Sequence, residues 1–198
     1  MQPVTQLADD RECLIEAAFH CLSHPENGPA SIAAMLAHAG VSTRVFYRYF
    51  ASKDDLFVAM LNQENDQLIA RLDAIAGDPA TTPAQQLQAW IVEMFQMVEN
   101  PALATRAKVL GTDDVRAARG YRDFRTQGDV ARQRTLVRIL RRGRLDGSLP
   151  LAEPATDAAA IDALCAQALA TRIASGGDDP GFGVTHVVDF AKRSLGVQ

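Results

Sequence analysis

Between Val41 and Lys53 the chain carries three cations, Arg44, Arg48 and Lys53, and no acid, with Tyr47 and Tyr49 among them. Arginine presents a rigid fork of donors that matches the major-groove edge of guanine, while Lys and Tyr hold phosphate oxygens. The segment therefore has the residue types of a nucleic-acid contact. A second concentration of charge runs from Arg106 to Arg144 and includes Lys108, Arg116, Arg119, Arg122, Arg125, Arg132, Arg134, Arg138, Arg141 and Arg142. Such a stretch ordinarily makes a solvated, salt-bridged face; the competing chemistry is one arginine turned inward to hold a carboxylate or phosphate of a ligand. His20 and His24, four apart with Cys13 and Cys21 nearby, have the residue types of a metal or thiol sensor. No other His/Cys/Glu set has metal-ligand spacing, no Gly-rich loop is built to cradle phosphate, and no nucleophile–base signature appears. No catalytic residue is expected.

The bulk composition points away from nucleic acid. The 198 residues are 47% hydrophobic and 22% charged, and 20 Lys plus Arg stand against 24 Asp plus Glu, a formal charge of −4. Residues 1–60 hold Arg11, Arg44, Arg48 and Lys53 against Asp9, Asp10, Glu12, Glu16, Glu26, Asp54 and Asp55. Clustering matters more than the sum, because a local cationic island sets the potential that a ligand meets. The composition excludes disordered and collagen-like classes. No apolar run approaches the roughly 20 residues that cross a bilayer, and MQPVTQLADDRE lacks the n- and h-regions of a signal peptide. A cytoplasmic protein without membrane contact is expected. Three cysteines at unrelated spacings fit reduced thiols.

The elements that must position these residues read as helices throughout, since almost nothing alternates with period two. Leu14, Ala17, Ala18, Cys21 and Leu22 recur at helical steps over 10–24, and the stretch from His24 to Pro29 stops that helix. Ser31 caps a second helix that ends at Gly40; Ser42 caps a third, Thr43 to Tyr49. Ser52-Lys53-Asp54-Asp55 has the form of a capping box and opens a long helix to about Ile75. Thr82-Pro83-Ala84-Gln85 starts another, apolar on most of its circumference from Ala89 to Glu99. Asn100-Pro101 restarts a short helix. A longer one, roughly 117–145, carries the arginines. An alanine-rich helix is expected over 157–175, followed by a connection over 176–181 and a last helix ending near Leu195.

A helix ending at glycine, a short turn and a second short helix are the parts of a helix-turn-helix, whose second helix enters the major groove. Thr43 and Arg44 then face base edges; Tyr47 and Arg48 follow one turn later at phosphates. Lys53, with the free N–H groups of the next helix, adds another phosphate site. The run AGVSTRVFYRYFASKDDL, Ala39 to Leu56, resembles the signature of TetR-type transcriptional regulators. Ile15-Glu16-Ala17-Ala18-Phe19 and Ser31-Ile32 resemble the family's first helix and second-helix start. The resemblance implies an all-α fold, with an N-terminal helix-turn-helix DNA-binding domain (1–53) and a C-terminal helical ligand-binding and dimerisation domain (54–198). It also implies Thr43, Arg44, Tyr47, Arg48, Tyr49 and Lys53 as DNA contacts, and Ser31 and Ser42 as cap or phosphate residues. In its register His20 and His24 fall on exposed positions and Cys21 on an apolar one, so no metal is expected. The chain departs from the family in an acidic segment from Gln2 to Glu12, a longer proline-containing connection after the first helix, and Met35-Leu36.

The family further implies a small-molecule effector. The helix bearing Trp90, Met94, Phe95 and Met97 corresponds to one that lines its pocket, and Phe124 joins them as a ligand-binding candidate; plain core packing is the alternative. Flexible methionines and an aromatic ring suit an adaptable apolar cavity. The alanine-rich helix 157–175, with Leu136, Val137, Ile139 and Leu140, is the candidate for a homodimer bundle, against packing within the subunit. The expected function is a homodimeric repressor released from a pseudo-palindromic double-stranded DNA operator by a small apolar or amphipathic effector, with no cofactor. The alternative is a helical small-molecule-binding protein or enzyme with an unused helix-turn-helix.

Overall fold

The computed structural model describes residues 4–174 and 183–197, and the regular structure among them is helical. The helices are α1 (Val4–Ser23), α2 (Ile32–Ala39), α3 (Thr43–Tyr49), α4 (Lys53–Gly77), α5 (Pro83–Glu99), α6 (Pro101–Leu110), α7 (Asp113–Arg116), α8 (Tyr121–Asp146), α9 (Pro154–Ala174) and α10 (Val184–Ser194), with a 3-10 turn at Pro25–Asn27. They form two compact units: Met1–Glu64 with Thr105–Arg125, and Asn65–Ala104 with Thr126–Gln198.

Local chemistry places most boundaries. Thr82 Oγ1 accepts from the Gln85 N–H at 3.3 Å while Gln85 Oε1 accepts from the Thr82 N–H at 2.9 Å, the reciprocal box that starts α5. Asn100 Oδ1 accepts from the Ala102 and Leu103 N–H groups and starts α6. Three helix starts differ from the sequence expectation. Helix α1 begins at Val4, six residues earlier, because Gln, Leu and Ala are good helix formers even ahead of the acids. Helix α8 begins at Tyr121 rather than 117, since Gly120 has φ 99° and breaks the chain there; the four-residue α7 precedes it. Helix α9 starts at Pro154, and Asp157 reaches back to accept from the Glu153 N–H at 2.6 Å. Ser175 and the 176–181 connection lie outside the described residues.

In the first unit Leu14, Ile15 and Ala18 of α1, Met35 of α2, Phe46 of α3 and Leu56, Phe57 and Met60 of α4 form one core with Val109, Val115 and Ala118. Arg106 of α6 adds a polar clasp. Its Nη atoms donate to Glu16 at 2.9 and 3.0 Å and its Nε to Glu64 at 2.7 Å. The guanidinium also stacks 3.7 Å from the Phe19 ring centroid. Desolvation opposes the charge, but the two carboxylates more than offset it and hold the Arg106 pKa above its ordinary value.

The second unit buries Leu87, Trp90, Ile91 and Phe95 of α5, Leu136, Ile139 and Leu140 of α8, Ile161, Cys165 and Ala168 of α9, and Val187 and Ala191 of α10. The Trp90 indole N–H donates to Thr135 Oγ1 at 2.7 Å, and that hydroxyl donates to the Arg132 carbonyl. Burial, then the nearby Asp162 charge, pushes the Cys165 thiol up to about 12. The expectation that Leu136, Ile139 and Leu140 face a second subunit is corrected: all three are 0% exposed within this core. Val137 is half-buried against it.

Candidate nucleic-acid interface

Helices α2 and α3 are each started by a serine cap and are joined by a tight turn that begins at Gly40. Ser31 Oγ accepts from the Ala34 N–H at 3.2 Å, and Ser42 Oγ accepts from the Val45 N–H at 3.4 Å, each occupying an otherwise orphan donor at a helix start. Gly40 ends α2 at φ 67°, a conformation that a side chain disfavours. Both serines thus act as caps.

Helix α3 is held by its inner face. Phe46 is 0% exposed and Phe50 3%, and Phe46 meets Tyr47 edge-on at 5.2 Å and Phe50 at 5.7 Å. The outer face carries Thr43, Arg44, Tyr47 and Arg48, all exposed. Tyr47 is 58% exposed, a large aromatic left in water beside two cations. Tyr49 differs from these four, being partly buried against the core with its ring beside Phe50.

At the start of α4 the expected capping box is shifted by one residue. Ser52 Oγ accepts from the Asp55 N–H at 3.1 Å, but the Asp55 carboxylate accepts from the Ala51 N–H at 3.0 Å. Lys53 follows Ser52 with its Nζ 5.0 Å from the Phe57 ring centroid and 3.2 Å from Asp114 Oδ2. Two residues escaped the sequence reading. Arg11 of α1 places its guanidinium 5.8 Å from the Phe50 ring, at the end of α3; Asp114 reaches Lys53 from 61 residues downstream. An unpaired cation on the exposed side of α1 was the available signal for the first, and nothing local signals the second.

The remaining candidates separate. Trp90, Met94 and Phe95 are buried in the second unit with Met97 packed against them, whereas Phe124 packs on the core of the first unit. Several arginines of the 106–144 stretch are ion-paired: Arg132 with Asp129 and Asp162, Arg138 with Asp73, Arg144 with Glu153. Arg132 is the inward-turned one, and protein carboxylates hold it. The rings of His24, His20 and His38 form a continuous stack, with centroids 4.4 and 3.9 Å apart. They line a cavity of about 240 Å³ with Cys21. Among the described residues no group of three His, Cys, Asp or Glu is arranged to hold a metal, and no helix is long and apolar enough to cross a membrane.

Residues 14–60 match the family profile described as bacterial regulatory proteins, tetR family. No curated protein sequence matches the chain. Its fold is similar to that of Escherichia coli NemR in reduced form, with a TM-score of 0.73 at 21% identity over 93% of this chain and 96% of that one. It is also similar to the Bacillus subtilis transcriptional regulator FadR in complex with stearoyl-CoA, with a TM-score of 0.67 at 17% identity over 93% and 95% of the two chains. A third likeness is to SmeT, the repressor of the Stenotrophomonas maltophilia multidrug efflux pump SmeDEF. Its triclosan complex superposes with a TM-score of 0.75 at 20% identity over 93% and 90%.

Proposed function

We propose that this chain, which carries the N-terminal module of the tetR family of bacterial regulatory proteins, is a homodimeric repressor whose hold on DNA is released by a small apolar or amphipathic effector. The observation that carries the reading is the division of α3 into a buried side at Phe46 and an exposed side bearing Thr43, Arg44, Tyr47 and Arg48. A helix fixed at its back and presenting an arginine near its N-terminus has the form that reads a major groove. Thr43 and Arg44 contact bases; Tyr47, Arg48 and Lys53 contact phosphates, with Ser31 and Ser42 supporting the two helix starts and Tyr49 packing behind them.

In functional terms residues 1–53 bind DNA and 54–198 bind the effector and the second subunit, although packing extends the first unit to Glu64 and Thr105–Arg125. Two recognition helices related by a two-fold axis read a pseudo-palindrome when they lie about 34–36 Å apart or a multiple of it. Dimerisation uses the outer side of α9, where exposed Ala159, Ala163, Ala170 and Ile173 recur with half-buried Ala166 at helical steps and permit close approach. The effector acts by binding one dimer conformer more tightly than the other, and DNA reciprocally weakens its binding. Likeness to folds that hold stearoyl-CoA and triclosan supports an apolar effector near Trp90, Met94, Phe95 and Met97.

A mobility-shift experiment with the DNA flanking its own gene, at two salt concentrations, tests the function. A retarded complex that survives excess unrelated duplex supports it. A folded dimer that retards no fragment at low salt overturns it in favour of an unused helix-turn-helix.

A further inference from the structure

We propose that Asp114 sets the DNA affinity of the recognition unit by competing with phosphate for Lys53, an inference that rests on the DNA-binding reading above. Lys53 is the first residue of α4, where a lysine and the free N–H groups of the helix start face the same anion. Its Nζ is instead 3.2 Å from Asp114 Oδ2, with the two side chains 33% and 57% exposed. The same Nζ stands 5.0 Å from the Phe57 ring centroid.

The chain on either side of Asp114 is held by its own surroundings. Val115, the next residue, is 0% exposed in the core of the unit, where Val109 and Ala118 are also buried. Thr112 Oγ1 donates to the Val109 carbonyl at 2.7 Å and fixes the corner before α7. Arg119 N–H donates to Asp54 Oδ2 at 3.2 Å, pinning the same corner to the residue beside Lys53. The backbone that carries Asp114 is thus anchored beside Lys53 and keeps the carboxylate within reach of the ammonium.

Binding DNA through Lys53 therefore exchanges one anion for another. A cation already neutralised within the protein must give up that partner before it can release counterions from the duplex. An exposed ion pair of this kind is worth a factor of up to about five in an equilibrium constant. Asp114→Asn keeps the shape of the side chain while removing the charge. It is expected to tighten binding about two- to fivefold near 0.1 M salt, on its own upstream duplex and on an unrelated duplex alike, because phosphates carry no sequence. The slope of log affinity against log salt should steepen by up to about 0.9.

The test is a four-protein cycle of wild type, Asp114→Asn, Lys53→Ala and the double variant, titrated on both duplexes across a salt series. The proposal expects the gain from Asp114→Asn in wild type and none in the Lys53→Ala background. Unchanged or weaker binding by Asp114→Asn overturns it, since the carboxylate would then be inert or would orient the lysine. An equal gain in the Lys53→Ala background also overturns it, because Asp114 would then act on the phosphates directly. Absence of any wild-type complex, with the fold intact by circular dichroism, overturns the DNA-binding reading itself and is visible before any variant is compared.

Discussion

Replacing Asp162 by alanine should be among the most damaging single changes in the second unit, and the geometry gives the size of the loss. Asp162 is 3% exposed. It accepts from Arg132 Nε at 2.8 Å and Nη2 at 3.4 Å and from Gln133 Nε2 at 3.3 Å. The Arg132 side chain is 15% exposed, and its other acid, Asp129, is 41% exposed. Removing one partner of a buried pair costs about 3–5 kcal/mol, because the remaining charge is left without water or counter-charge. Asp129 still faces the guanidinium, which places the loss at the lower end, about 3 kcal/mol. Replacing both partners, Arg132→Met with Asp162→Leu, removes the desolvation cost together with the attraction and should fall within about 1 kcal/mol of wild type. Urea unfolding followed by fluorescence reads this directly, since Trp90 is the one tryptophan of the chain and its indole bonds Thr135 in the same core. A loss under about 1 kcal/mol for Asp162→Ala, or a double variant as damaged as the single one, would refute the reasoning.

Gly143→Ala would place a Cβ 2.4 Å from both Cγ and Cδ1 of the buried Leu149; a loss of about 1–3 kcal/mol is expected in the same Trp90 signal, and an unchanged midpoint would contradict that contact. Phe46→Ala should destabilise the first unit by about 3–5 kcal/mol while Tyr47→Ala stays within about 0.5 kcal/mol, as urea titrations by circular dichroism would show; comparable losses would mean that α3 is turned the other way. Acid should weaken the first unit. Partial desolvation, then the neighbouring His38 and His24, lower the His20 pKa from 6.5, with Glu26 opposing. The fold thus favours the neutral ring, so the contribution is complete above 6.5 and is lost as pH falls below it toward the folded value. The three tyrosines, Tyr47, Tyr49 and Tyr121, all lie in the first unit and report it. On acidification from about pH 7.5 to 5.5 the melting midpoint of His20→Asn should fall less than that of wild type, and parallel curves would refute the assignment.

Much of the recognition unit was legible because its boundaries are local. Ser31 and Ser42 cap helices with donors three residues away, as Thr82 does in the second unit, and Gly40 ends α2 in a left-handed conformation that favours glycine. Phe46 and Phe50, four residues apart, mark the inner side of α3 and leave Thr43, Arg44, Tyr47 and Arg48 outside. What escaped is set by contacts distant in sequence. Val109, Val115 and Ala118 complete the core around α1 and α4, and the clasp of Arg106 on Glu16 spans 90 residues, so no window around α6 or α7 could assign them to that unit. Leu136, Ile139 and Leu140 form an apolar stripe whether the partner is a second subunit or α5 of the same chain; spacing alone cannot distinguish the two. Phe124, a ligand-binding candidate with Trp90, packs in the other unit.

The central claim, that the outer side of α3 reads bases, is tested most directly by Arg44→Ala. Anisotropy titrations would compare wild type and variant on the duplex from upstream of its own gene and on an unrelated duplex of equal length. A bidentate contact from Arg44 predicts a loss of about 1–3 kcal/mol on the specific duplex and little on the unrelated one, so that discrimination collapses by about 5- to 150-fold. An equal loss on both duplexes would show that Arg44 contacts only phosphate and would contradict the account.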